Sequence, residues 1–181
     1  MTTRTLVTAD ELLRMPDDGK RYELIEGELI EMAPAGSRHG EIAASVVIVL
    51  GHYVRKNDLG TIFAAETGFL LRYDPDTVRA PDAAYIVKDR LPREGVPFGF
   101  MDTIPDLVVE VVSPNDRAGQ VQEKIEQWIE HGVKLVWVAY PECRSIMVYR
   151  SLNEVHVLHE GDVLTGDPVL PDFTCPVDEI F

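Results

Sequence analysis

The sequence predicts an α/β fold, in which a mixed sheet is flanked by helices and a β-hairpin stands near each end. Three observations carry this reading. Two amphipathic helical patterns are separated by a series of short β-prone runs. The second helix lies between two apolar strands, residues 107–112 and 133–139, and that order points to a parallel βαβ crossover. The 181 residues, 45% of them hydrophobic, suffice for a real core, and no repeat, linker or low-complexity tract divides them, so residues 1–181 read as one domain.

The elements follow in order. Thr8 and Glu11 form a capping box ahead of Leu12 and Leu13, so a short helix begins there and stops near Pro16. RYELIEGELIEM is two apolar-rich runs flanking Gly27, which reads as a hairpin. Over residues 37–57, Ile42, Val46, Val49, Leu50 and Tyr53 recur on one helical face, and Asn57, Asp58 and Gly60 supply the stop. Strands are expected at residues 61–66, 69–72 and 83–87, with a turn at Asp74–Asp76. The Gly- and Pro-containing stretch 91–103 reads as a surface loop. The strand at 107–112 ends at Ser113 and Pro114. A helix over residues 117–131 buries Val121, Ile125, Trp128 and Ile129 and ends at Gly132, and strands at 145–150 and 154–159 close the chain as a second hairpin. The proline-bearing tail after Val163 has no readable period.

Composition narrows the function classes. No apolar run is long enough to cross a bilayer, and the opening MTTRTLVTADELL lacks the apolar centre of a signal peptide. Cys143 and Cys175 alone make neither a disulfide framework nor a thiolate zinc cluster, so a reducing cytoplasm is expected. The net charge of −14 opposes tight non-specific binding to nucleic acid, which depends on cations displacing counterions. A divalent metal or a local basic patch would have to supply the missing positive charge.

Glu110 is the most informative side chain. Within DLVVEVVS it shares a face with Val108 and Val112, where an ionised carboxylate is costly unless paired or holding a metal. The ordinary alternative is an edge strand with Glu110 in water, and apolar flanks on both faces weigh against it. Asp82, after Pro81 in RAPDAAYIV, reads by itself as a strand entry or turn. Adjacent strands about 4.8 Å apart can bring the two carboxylates together. Two such oxygen donors with open water positions suit Mg²⁺ or Mn²⁺. Lys124 flanks the stripe of the second helix beside Gln120 and Gln127, and from the pattern alone it reads as a snorkelling surface lysine. Glu41 fits dipole stabilisation at the start of the long helix, and His39 beside it is open to either reading. Glu23, Glu26, Glu28 and Glu31 read mostly as the wet face of the hairpin.

The segments YELIEGEL, SRHGEI, PDAAYIV, LVVEVVSP and KIEQWIEHGVKLVWV, in that order, resemble the Uma-type putative restriction endonuclease family of bacteria, within the PD-(D/E)XK nuclease superfamily. The resemblance runs from about Tyr22 to Pro141 and more loosely to the C-terminus. It implies a restriction-endonuclease-like core carrying the two hairpins. It also implies a metal-dependent endonuclease that hydrolyses phosphodiester bonds of nucleic acid, DNA before RNA. Pro81 and Asp82 match the first part of the superfamily pattern and Glu110 its second acid. Val112 occupies the position of the lysine, a departure, and Lys124 fits a lysine displaced to the following helix. The resemblance further implies Mg²⁺ or Mn²⁺ on Asp82, Glu110 and the Val112 carbonyl, with Glu23 and His39 lining the pocket. Symmetry of paired nucleases makes a homodimer an expectation. A binding protein on the same fold that no longer cuts, or an acid-pair hydrolase of another substrate, remain the rival readings.

Overall fold

A computed structural model describes residues 6–181, so the leader reading of the first five residues lies outside the described part. Helix α1 (Ala9–Leu13) starts with the expected capping box: the Thr8 hydroxyl accepts from the Glu11 amide, and the Glu11 carboxylate accepts from the Thr8 amide at 2.8 Å. Strands β1 (Arg21–Ile25) and β2 (Glu28–Met32) form the first hairpin. Its two turn residues, Glu26 and Gly27, both have positive φ (49° and 80°), the tight turn that suits strand twist.

Helix α2 (Ser37–Lys56) buries Ile42, Val46, Leu50 and Val54, while Val49 and Tyr53 sit at the margin of that stripe. Then come β3 (Gly60–Ala64), β4 (Phe69–Arg72), β5 (Thr77–Arg79) and β6 (Ala83–Val87). After the loop follow β7 (Leu107–Val111), α3 (Ala118–Glu130), β8 (Leu135–Tyr140), β9 (Ser145–Ser151) and β10 (Glu154–His159). The tail, unreadable by period, makes a two-stranded sheet of β11 (Val163–Thr165) and β12 (Thr174–Pro176).

The main sheet has six strands in the order β10-β9-β8-β7-β6-β3, and β7 and β8 are its parallel pair, joined through α3. Strand β5 was not expected. It pairs with both β1 and β4, and so gathers the first hairpin into a separate four-stranded sheet, β2-β1-β5-β4. Each face of the main sheet is covered by one long helix. Ala83, Tyr85, Val109, Val111 and Trp137 meet α2 on one side, and Ala84, Val108, Val136 and Val138 meet Ile125 and Trp128 of α3 on the other. Burial on both faces explains why β7 reads as a continuous apolar run broken only by Glu110. The tail closes the α2 side, where Phe173 stacks on Trp137 at 5.8 Å.

Candidate active site

The β6–β7 register places two acids side by side. Ala83 pairs with Val109, so the next step of the antiparallel ladder sets Asp82 opposite Glu110. The Asp82 amide donates to the Val109 carbonyl at 3.1 Å, and the Val111 amide donates back to Asp82 Oδ2 at 2.7 Å. The strand entry read from Pro81 thus becomes a side chain locked to the neighbouring strand. His39, in the first turn of α2, reaches the same oxygen, with Nε2 3.1 Å from Asp82 Oδ2. Glu41 is exposed and pairs with Arg38, outside this cluster.

Glu110 is buried on the α3 face. Its Oε2 lies 2.9 Å from Lys124 Nζ, and its Oε1 accepts from Trp128 Nε1 at 2.7 Å. Lys124, Gln127 and Trp128 are three and four residues apart on one helix, so a single face of α3 delivers all three. The Lys124 ammonium also stands 3.4 Å from Glu23 Oε1 and donates to the Ala80 carbonyl at 3.4 Å. The small sheet supplies the rest. Glu23 on β1 is 2% exposed, unlike Glu26 and Glu31, which pair with Arg72 and Lys20 at the surface. It accepts from Arg79 Nη1 at 2.5 Å and from the Ala80 amide at 3.0 Å, while Arg79 Nε donates to Gln127 Oε1 at 2.8 Å.

Arg79, Gln127 and Trp128 were absent from the sequence-based site. Gln127 and Trp128 carried a usable signal, their helical spacing from Lys124. Arg79 carried none. Val112 is placed differently from its neighbour: the Val111 amide faces Asp82, whereas the Val112 amide donates to Ala139 at 2.9 Å on the other side. An N–H and C=O of one extended residue point the same way, so the carbonyl on the Asp82 side is that of Val111.

The electrostatics follow from burial and neighbours. Burial pushes Glu110 up to about 7 against the pull of Lys124, and the charges of Asp82 and Glu23 add to the rise. Burial works to lower the Lys124 pKa, but Glu110 and Glu23 outweigh it and hold the ammonium charged. Burial likewise opposes ionisation of Glu23, and Lys124 with Arg79 overcomes it, leaving Glu23 below the usual carboxylate range. The hydrogen bond to Asp82 raises His39, partly offset by burial. A second Pro-Asp pair shows the contrast. Asp106, after Pro105, is more deeply buried than Asp82, but the Val87 amide, Arg90 and Lys134 take up its carboxylate, which reads as a structural ion cluster.

The donor set fits a hard divalent cation. Asp82 Oδ1 accepts no hydrogen bond among the described residues, and each Glu110 oxygen keeps a lone pair beyond its one partner. Among the described residues no three His, Cys, Asp or Glu groups converge into a ready-made cage. An ion there would take its remaining ligands from water, the Val111 carbonyl and substrate, as Mg²⁺ commonly does.

One consequence concerns Trp128. Trp128→Phe keeps an aromatic ring but leaves Glu110 Oε1 without its buried donor, and is expected to cost about 1–3 kcal/mol. Denaturant unfolding measures it, and a change within error would mean that water replaces the indole.

The fold is that of a nuclease-like α/β protein. One similar solved structure is a crystal structure of a putative nuclease belonging to DUF820 from Anabaena variabilis, with a TM-score of 0.83 and 22% identity over 97% of each chain, a likeness of fold. Residues 9–178 match the family Uma2, described as putative restriction endonuclease, and the chain belongs to that family. No curated protein matches it. No helix among the described residues is long and apolar enough to cross a membrane.

Proposed function

We propose that the chain is a metal-dependent endonuclease that hydrolyses phosphodiester bonds of DNA. The observation that carries this reading is the convergence of Asp82, Glu110 and Lys124: two carboxylates opposed on neighbouring strands, with an ammonium 2.9 Å from one of them although Val112 fills the usual lysine position. The family's description supports the nuclease class.

Asp82 and Glu110 would hold Mg²⁺ or Mn²⁺. Bound there, the ion supplies Lewis acidity and lowers the pKa of a coordinated water. The chain's own groups do the rest. The Val111 amide and His39 fix the Asp82 carboxylate, and Trp128 fixes that of Glu110. Glu23 and the Ala80 carbonyl hold the Lys124 ammonium at the acid pair, where its charge can stabilise negative charge developing on a phosphoryl group. Arg79 neutralises Glu23, so Lys124 is not cancelled by two acids at once.

The test is an assay of single- and double-stranded DNA and RNA with Mg²⁺ or Mn²⁺, run beside Glu110→Gln. Cleavage lost in the variant supports the reading. Equal cleavage by both proteins would mean a contaminant or another site. The rival, a binding protein that does not cut, draws support from the net charge of −14 and the lack of a three-group cage. Metal-independent binding of DNA with no cleavage would favour it.

Metal affinity should depend on pH. Glu110 titrates near 7 in the metal-free protein, and protons on Glu110 and His39 oppose a cation. Affinity should therefore fall as pH drops through 7, by roughly tenfold per unit for one displaced proton. Mn²⁺ titration calorimetry at several pH values measures this, and a flat profile would place the ion away from Glu110.

A further inference from the structure

The α3 face of the main sheet is not fully covered by its helix. Past the N-terminal end of α3 it opens into a cavity of about 340 Å³, a volume typical of small-ligand sites. Val112, Val121, Tyr140, Met147 and Tyr149 make most of its wall. The apolar surface continues outward onto the edge strand, because Val155 pairs with Tyr149 and Val157 with Met147. Those two valines are 39% and 48% exposed. Both tyrosines are uncharged at neutral pH, as phenols ordinarily are, and burial moves them further from ionisation.

The cavity is built from residues that neighbour the candidate active site along the chain. Val112 is two residues beyond Glu110 on the same chain segment, and Val121 precedes Lys124 by three residues on α3. By strand alternation Glu110 and Val112 share one face, so the cavity opens on the face that carries the Glu110 carboxylate. A net charge of −14 weakens binding through phosphate contacts along a duplex. Uncharged contacts then gain weight, and stacking of bases on aromatic rings is one that single-stranded nucleic acid offers. Paired bases are enclosed in their stack and cannot enter such a cavity, whereas an unpaired base can. Asp116 and Gln122 at the rim add groups able to hydrogen-bond a base edge.

We propose that this cavity is a base-binding subsite that receives an unpaired nucleobase of the DNA strand lying across Asp82 and Glu110, held against Tyr140, Met147 and Tyr149. The inference rests on the nuclease reading for the identity of the ligand. It makes single-stranded or bulged DNA, not continuous duplex, the preferred substrate.

The test is binding, with divalent ions removed by a chelator so that no strand is cut. The probes are a fluorescently labelled single-stranded DNA oligonucleotide, the matching full duplex, and that duplex with one unpaired adenine or, in its place, one abasic residue. Anisotropy should show the single strand and the adenine bulge bound about tenfold or more tighter than the duplex and the abasic bulge. Tyr140→Ser should remove that preference and Tyr140→Phe, which keeps the ring, should retain it. Ala118→Trp, placed at an exposed position on the cavity wall, should block entry without disturbing the fold, as a thermal melt will verify. Equal binding of paired and unpaired probes, or an unchanged preference in Ala118→Trp, overturns the subsite. The two readings fail separately: cleavage without the preference leaves the nuclease and removes the subsite, whereas the preference without cleavage under any metal leaves the subsite and removes the nuclease.

Discussion

Lys124→Met is expected to destabilise the protein by about 3–5 kcal/mol at pH 8, because it strips the cation from a buried carboxylate while leaving the carboxylate in place. Lys124 Nζ is 2.9 Å from Glu110 and 3.4 Å from Glu23, and both acids are nearly inaccessible to water. Glu23 keeps Arg79, so the loss falls mainly on Glu110. The pH dependence has a definite sign. The folded-state pKa of Glu110 is raised to about 7, above its unfolded value, so its own contribution is fully present in acid and is lost as pH rises through 7. Without Lys124 the carboxyl is pushed higher still. The variant can then take up a proton near pH 6 and recover part of the loss. Urea unfolding of both proteins at pH 6 and pH 8 measures this. A loss below about 1 kcal/mol at both values, the usual size for an exposed ion pair, would place the ammonium in bulk water and remove it from the site. Cleavage, where present, should fall by about 10²–10³ in the same variant, the usual loss when one charge-stabilising donor is removed.

Saturating Mn²⁺ should raise the melting temperature of the wild type, and Asp82→Asn should abolish most of that rise. Asp82 and Glu110 are opposed on neighbouring strands, and the Asp82 charge contributes to the raised pKa of Glu110. A cation between them relieves that repulsion. A ligand that binds only the folded state stabilises it by about 2.7 kcal/mol at a hundredfold excess over its dissociation constant. Asp82→Asn keeps an oxygen that can accept from the Val111 amide, so the fold should survive while the charge that attracts the ion is lost. The measurement is a pair of thermal melts with and without Mn²⁺. Equal shifts in both proteins would mean binding elsewhere on the acidic surface. No shift in either would remove the metal from the proposed function and leave the non-cutting binder.

The amino-acid sequence by itself determined the two long helices, the β6, β7 and β8 strands around the crossover, both hairpins, and Glu110 as the anomaly among them. Each of these is a local pattern: a period of 3.6 or 2, a capping pair, a glycine at a turn, a lone charge in an apolar run. Resemblance of motifs added Asp82 and Lys124. What only the tertiary structure decided depends on contacts between distant residues. Strand β5 is three residues long and too short to show a period, and it exists because β1 and β4 flank it. The four acids of the first hairpin look alike in sequence, and Glu23 alone becomes part of the site because Arg79, 56 residues away, and Lys124 meet it there. Lys124 itself sits at a stripe margin where a helix pattern permits either water or the core. Its direction is chosen by two buried carboxylates, one from each sheet, whose charges would otherwise be uncompensated.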